Sequence, residues 1–183
     1  MRKNLKNEVI DFIENSEQEL VDMMVDFVQT KSVNVNLDPS SPGEKEMALK
    51  VKKIYKELGM NVLTMEKEKD RPNVIATLPG KKGDPRLLFN AHLDTTVTHE
   101  TDRWLDPLTW EEKTDWTEGP FSGTVKDGWI YGRGTCDHKS ETVAAIYALK
   151  AFKNLGIDLK GDLVIVNDVD EETGGEAGMQ FLV

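Results

Sequence analysis

The chain has 183 residues, enough for one domain with a sizeable buried core. Its 33 acidic and 23 basic residues give a formal net charge of −10, which argues against nucleic acid and anionic membrane as partners, because both select basic patches. No apolar run approaches the roughly 18 residues of a membrane span. The single cysteine, Cys136, excludes an internal disulfide, and we expect it to be a buried small residue in a cytoplasmic protein.

Helical periodicity dominates the first part of the chain. Apolar residues recur close to every 3.6 positions over residues 6–30, which predicts a helix. Ser16 and Glu19 form a capping-box pattern and indicate that the helix restarts there. A loop over residues 31–43 and a second helix over residues 44–58 follow.

Strands and one further helix fill the remainder. Punctuation at Pro79-Gly80 and Gly83 suggests a hairpin or short connection, and Asp127-Gly128 is a strong hairpin signal. A third helix is predicted over residues 139–155. Strands are predicted over residues 61–65, 73–78, 86–91, 124–125, 129–131 and 162–166. The last is almost continuously apolar, as is typical of a central strand covered on both faces. The interleaving predicts an α/β fold with a mixed sheet.

A long polar segment interrupts this pattern at residues 95–120. It contains Trp104, Trp110 and Trp116, which we interpret as a local packing cluster. A loop of this length within a compact domain is usually functional or carries its own structure.

His92 and Asp94 follow an apolar strand directly. If the strand continued to Asp94, the two side chains would point to the same side of the sheet. Neutral imidazole is a common zinc ligand, and a carboxylate on its other nitrogen fixes the tautomer. The alternative is a surface histidine beside an aspartate in a turn.

Asp137 ends a Gly132-Arg133-Gly134 turn between a strand and a helix. Glycines allow the backbone to pass close to an ion and to aim the carboxylate, which can bridge two cations. The rival is a dinucleotide-binding fingerprint. That rival requires a small residue at position 137, whereas Asp137 would bring negative charge against a pyrophosphate.

Four carboxylates lie within the five residues 168–172. They repel one another unless cations or solvent offset their charge. Glu171 and Glu172 cannot point the same way in extended chain, so one can bind metal while the other acts as general base towards a water. A solvated acidic turn is the alternative.

These motifs, taken in order, resemble the zinc hydrolases that include acetylornithine deacetylase, succinyl-diaminopimelate desuccinylase, aminoacylase and carboxypeptidase G. The resemblance is carried by four segments: residues 71–76, residues 90–94, residues 120–137 and residues 170–175. It implies a mixed-sheet, zinc-peptidase-like (phosphorylase/hydrolase-like) catalytic domain.

The resemblance also implies a role for each site residue. His92 would bind one metal with Asp94 as its orienting partner, and Asp137 would bridge both metals. Glu171 would be the general base and Glu172 a metal ligand. The implied cofactor is a pair of Zn²⁺ ions, with Co²⁺ or Mn²⁺ possible. The implied reaction is hydrolysis of an amide in an N-acyl amino acid or small peptide, and full-length members could form homodimers.

The sequence also departs from the family pattern. Ala91 replaces a glycine, and His138-Lys139-Ser140-Glu141 replaces Met-Lys-Gly-Gly, which suggests a backbone without positive φ there or a changed pocket. The family supplies a further acidic ligand, a late histidine and a lid domain. We therefore expect residues 1–183 to form the N-terminal part of the catalytic domain, with the lid and C-terminal part missing.

Three functional hypotheses remain open at this point. The first is a two-metal amide hydrolase that is incomplete and weakly active or inactive as this chain alone. The second is a non-enzymatic truncated fragment or one half of a split enzyme. The third is a one-metal hydrolase that uses His92, Asp137 and Glu172 and recruits His138, which could otherwise be an exposed residue at the helix start.

Overall fold

The computed structural model describes residues 2–84, 86–98 and 116–183. The helices are α1 (Arg2–Asn15), α2 (Glu17–Gln29), α3 (Lys45–Glu57), α4 (Lys139–Asn154) and α5 (Met179–Leu182). A short 3-10 helix spans Glu171–Thr173. The strands are β1 (Asn61–Met65), β2 (Asn73–Leu78), β3 (Leu87–Asn90), β4 (Thr124–Lys126), β5 (Trp129–Tyr131) and β6 (Leu163–Asn167). The predicted α/β class is confirmed.

The main sheet has four strands in the order β1-β2-β6-β3. β1 with β2 and β2 with β6 are antiparallel, whereas β3 runs parallel to β6. The sheet is therefore mixed, and β6 is an interior strand, as its apolar sequence predicts. The parallel pairing brings the carboxyl ends of β3 and β6 to the same edge of the sheet.

The core lies between this sheet and the helices. α3 packs on β1 and β2, while α1 and α2 pack against α4. Fully buried side chains from both layers meet there: Phe27, Met47, Val51, Tyr55, Val74, Leu93, Ile146, Tyr147 and Ile165. Burial of this apolar surface is the main favourable contribution to the free energy of folding.

Two predictions about local structure are wrong. Ser16 does separate α1 from α2, but its hydroxyl donates to the carbonyl of Phe12 in the preceding turn and does not cap α2. Cys136 is exposed, because the turn that holds it lies at the surface. Of the two alternatives for Pro79-Gly80 and Gly83, the structure has the short connection and not the hairpin, because β6 lies between β2 and β3.

Other local predictions are confirmed. β4 and β5 form an antiparallel pair, and Asp127 and Gly128 both have positive φ, as a tight hairpin turn requires. Ser140 and Glu141 lie in the first turn of α4 without positive φ, which explains why glycine is not needed there.

Within the described ranges, no helix has the length and apolar character needed to cross a membrane.

Candidate metal centre

The ends of β3 and β6 place the candidate site. β3 ends at Asn90, so the strand does not continue to His92 and Asp94. The chain nevertheless stays beside the end of β6, because Ala91 N–H donates to Val166 O (2.9 Å) and Leu93 N–H to Asp168 O (2.7 Å). This pairing fixes the backbone on both sides of His92.

His92 is buried, and both of its ring nitrogens face oxygen atoms. Nδ1 lies 3.0 Å from the carbonyl oxygen of Asp94 and 3.3 Å from its Oδ1. Nε2 lies 2.9 Å from Asp137 Oδ1 and 3.6 Å from Glu171 Oε2. One nitrogen is thus held from behind while the other faces two carboxylates, an arrangement typical of metal-binding histidines.

Asp137 reaches this position through the glycine turn. A Cβ on Gly132 would lie 2.3 Å from Val28 Cγ1, and a Cβ on Gly134, whose φ is +88°, would lie 2.9 Å from Lys139 Cδ. Glycine is therefore required for close packing against α2 and Lys139.

Asp94 connects His92 with the acidic turn. It is completely buried, and its carboxylate accepts the N–H of Glu171 at Oδ1 (3.2 Å) and the N–H of Glu172 at Oδ2 (3.1 Å). The same side chain lies against Nδ1 of His92. One carboxylate therefore sets the position of both the imidazole and the turn that carries the two glutamates.

His92, Asp137 and Glu172 converge. Each offers one ligand atom, and these atoms lie within 4.8 Å of one another. Glu172 is held in place by the N–H of Thr96, which donates to its Oε1 (3.1 Å). Glu171, in contrast, has a side chain that is 56% exposed. These are the three residues that the sequence predicts as ligands, and their role as ligands stays a prediction.

The electrostatics of the site favour a positive charge. Burial raises the pKa of Glu172 to about 7; His92 opposes this, and Asp137, Asp94 and Glu171 reinforce it. Burial alone would lower the pKa of His92, but its carboxylate neighbours raise it to about 9. Carboxylates that crowd one imidazole are relieved by a cation, so this donor set fits a divalent metal ion.

A buried ionic cluster behind the site was missed in the sequence. Arg71 donates to Glu44 through both Nη2 (2.8 Å) and Nε (3.2 Å), to Asp170 Oδ1 (3.1 Å) and to Asn34 Oδ1 (3.2 Å). Burial opposes ionisation of Asp170, but the Ala177 N–H and neighbouring groups including Arg71 lower its pKa to about 2. Arg71 lies in the recognised segment 71–76, whereas nothing in the sequence around Asn34 signals its role.

His138 is neither an exposed residue nor part of the ligand set. Its ring stacks on that of His92, with centroids 5.0 Å apart and planes at 4°. Among the described residues, the ligand cluster does not include it. His138 therefore contacts the site through its ring face.

The polar segment is described only in part. Trp104, Trp110 and His99 lie outside the described residues, so the predicted tryptophan cluster stays a prediction. Trp116 donates from its indole nitrogen to Thr98 O (2.7 Å), and Arg133 lies over its ring (5.2 Å). This tryptophan thus joins the segment to the glycine turn.

The fold and the site have the form of a metallopeptidase catalytic domain. The sequence model of peptidase family M20/M25/M40 matches residues 88–183, just over half of the chain and the part that carries all five site residues. The chain belongs to this family.

The chain is also similar to individual members. It is 29% identical over 173 residues to an N-formyl-4-amino-5-aminomethyl-2-methylpyrimidine deformylase of Halalkalibacterium halodurans, covering 93% of this chain and 36% of the relative. It is 31% identical over 108 residues to a succinyl-diaminopimelate desuccinylase of Dechloromonas aromatica, covering 58% of this chain and 26% of the relative. Human carnosine dipeptidase 1 superposes with a TM-score of 0.77 at 26% identity, over 97% of this chain and 37% of that one. The matches span between about a quarter and little more than a third of these relatives' length.

Proposed function

We propose that this chain carries one half of a metal-dependent amide-hydrolase site, with His92, Asp137 and Glu172 as the metal ligands. The observation that carries the proposal is the convergence of their ligand atoms within 4.8 Å. The names of the relatives describe removal of formyl and succinyl groups and cleavage of dipeptides. An amide of an N-acyl amino acid or a small peptide is therefore the substrate class that we infer.

The metal ion expected here is divalent, and zinc is our choice. Imidazole and carboxylate donors suit zinc, while cobalt and manganese accept the same ligands. Bound cations would polarise the substrate carbonyl and lower the pKa of a water molecule. Asp137, whose carboxylate is exposed, would help to hold a second cation as well.

Glu171 is the general base in this proposal. Its carboxylate is exposed and 3.6 Å from His92 Nε2, so it lies beside the ligand set without belonging to it. A carboxylate in this position accepts the proton of the attacking water and returns it to the leaving amine. Asp94 is buried and contacts Nδ1 of His92, so it would hold the imidazole with Nε2 available to the ion.

We further propose that residues 1–183 form the first part of a larger catalytic domain. All four residues of the edge strand β3 are exposed, including Leu87, Leu88 and Phe89. A groove of about 720 Å³ lies beside this strand, between it and α4. Apolar edge strands are normally covered in native proteins. The occupant that we infer is the further polypeptide by which the relatives exceed this chain, adding strands to β3 and ligands for the second cation.

Metal titration with matched variants tests the ligand assignment. We expect the purified chain to bind Zn²⁺ weakly. Loss of a residue that only hydrogen-bonds to a metal ligand typically lowers affinity by roughly 10–100-fold, so Asp137→Asn and Glu172→Gln, which alter proposed ligands themselves, should weaken binding by at least as much. Glu171→Gln should keep the affinity. Glu176→Gln is the control, because this glutamate is exposed and, within the described part of the chain, its carboxylate pairs with Lys67 alone.

Two results would contradict these assignments. Unchanged Zn²⁺ affinity in both Asp137→Asn and Glu172→Gln would remove the ligand set. Robust hydrolysis of an N-acetyl amino acid by the 183-residue chain would show that the site is complete without further polypeptide.

A further inference from the structure

We propose that Asn34 is a positioning residue for the metal centre, linking the buried Arg71 cation to Asp94. This inference rests on the proposed function, because it assigns to Asn34 a role in holding the metal-binding imidazole. Asn34 lies outside the residues matched by the family model and 58 positions before His92 in the sequence. Only the tertiary structure brings it to the site.

The backbone of Asn34 is tied to the segment that carries Asp94. Its N–H donates to Thr95 O (3.0 Å), and Thr95 N–H donates to Ser32 O (3.0 Å), which forms a parallel bridge between Val33 and Thr95. Asn34 is completely buried. The backbone of Asn34 is therefore fixed beside Thr95, the residue that follows Asp94 in the chain.

The orientation of the Asn34 amide is determined by its neighbours. Oδ1 accepts from Arg71 Nη2 (3.2 Å) and from the N–H of Asn36 (2.9 Å). Nδ2 donates to Asp94 Oδ2 (2.7 Å). Rotating the amide by 180° would set donor against donor and acceptor against carboxylate, so only one orientation satisfies the buried groups.

Asp94 depends on this donor. Its Oδ2 accepts from Asn34 and from the N–H of Glu172, while its Oδ1 accepts from the N–H of Glu171 and lies against His92 Nδ1. Without the amide of Asn34, this completely buried carboxylate loses its shortest hydrogen bond and keeps only the longer contacts with Glu171, Glu172 and His92, which constrain its rotation less. Rotation of the Asp94 carboxylate would disturb its contacts with His92 and with the turn that carries Glu172, and these are two of the three proposed ligands.

Asn34 accepts a hydrogen bond from Arg71 and donates one to Asp94, which an apolar side chain could not do. Arg71 is 4% exposed and polarises the Asn34 amide from one side, and Asp94 receives the donated hydrogen on the other. Coupled hydrogen bonds in a buried environment strengthen one another. A side chain of the same shape without the donor should therefore fail in this role.

Two substitutions separate positioning from packing. Asn34→Asp has the same shape and keeps an acceptor for Arg71, but it presents a carboxylate oxygen to Asp94. Asn34→Ala removes both contacts. Asn36→Ala is the matched control, because the Asn36 amide donates to Asp170 (2.9 Å), whereas the Asp94 carboxylate accepts from Asn34, Glu171 and Glu172.

The experiment measures Zn²⁺ affinity by chelator competition, the Co²⁺ absorption spectrum, the thermal midpoint, and the imidazole ¹H–¹⁵N NMR signals of the metal-free chain. With three histidines, the His92 signals can be assigned by substitution of the other two. We expect both Asn34 variants to lose roughly 10–100-fold in Zn²⁺ affinity, to change the Co²⁺ spectrum and to lose the protected Nδ1–H signal of His92. Asn36→Ala should keep all three.

The proposal is overturned if both Asn34 variants keep the wild-type His92 signal and Zn²⁺ affinity. It is equally overturned if Asn34→Asp, Asn34→Ala and Asn36→Ala lose affinity in proportion to their loss of thermal stability, which would be a purely structural role. If the wild-type chain binds no Zn²⁺, the proposed function fails instead. The His92 signal in the metal-free chain then still decides whether Asn34 positions the imidazole.

Discussion

Removing the charge of Arg71 is the most informative test of how this site is supported. The guanidinium is 4% exposed and forms ion pairs with Glu44, which is completely buried, and with Asp170, which is 3% exposed. Its third pair, with Glu68, is half exposed. Arg71→Met keeps most of the aliphatic stem and leaves two buried carboxylates without their cation.

The cost follows from this burial. Breaking a buried ion pair by removing one partner typically costs about 3–5 kcal/mol, because an uncompensated charge stays in the interior. The pair with Glu68 adds little, since partly exposed pairs are weak. For a chain of this length, roughly 2–4 °C per kcal/mol converts the loss into a fall of roughly 6–20 °C in the thermal midpoint.

The assay is thermal and urea unfolding followed by far-UV circular dichroism. Lys45→Met is the control. In the chain, Lys45 follows Glu44 and Asp70 precedes Arg71, and these two neighbours form an ion pair whose side chains are both about half exposed. Lys45→Met should leave the midpoint unchanged. If Arg71→Met and Lys45→Met unfold at the same temperature, the Arg71 cluster does not stabilise the fold and the reasoning fails.

Two further predictions concern Lys139 and the edge strand. The Lys139 ammonium donates to Phe27 O and Thr30 O, and burial, with a smaller effect of Lys50, lowers its pKa from 10.5 to about 7. Between these values the unfolded chain binds more protons, so the free energy of unfolding should rise with pH by up to roughly 1.4 kcal/mol per pH unit, and Lys139→Met should lose this rise. Urea unfolding at several pH values above 7 measures the free energy of unfolding, and the same dependence on pH in the wild type and in Lys139→Met would refute the prediction. Separately, the exposed apolar strand β3 should cause concentration-dependent self-association of the chain, and Phe89→Lys should suppress it. Leu63→Lys is the control and should leave self-association unchanged, because Leu63 has similar exposure but lies on β1, the opposite edge strand. Sedimentation velocity distinguishes the two, and equal behaviour of both variants would contradict this use of the β3 edge.

Local patterns in the sequence carry most of the secondary structure and the identity of the candidate ligands. Helical periodicity locates α3 and α4 within a residue or two, because each needs only one apolar face towards the core. The continuous apolar run of β6 indicates an interior strand, because such a strand is covered on both faces. His92, Asp137 and the Glu171-Glu172 pair are visible because each follows a strand or turn where ligands can project, whereas the choice of Glu172 as the ligand rests on the family resemblance.

The tertiary structure decides what these local patterns leave open. A hairpin between β2 and β3 agrees with the local sequence, but β6 inserts between them, since strand order depends on contacts far apart in the chain. Asn34 carries no local signal, because its role arises from facing Arg71 on one side and Asp94 on the other. The sequence by itself therefore determines which side chains can bind a metal ion, whereas the buried hydrogen bonds that orient them exist only after distant segments pack together.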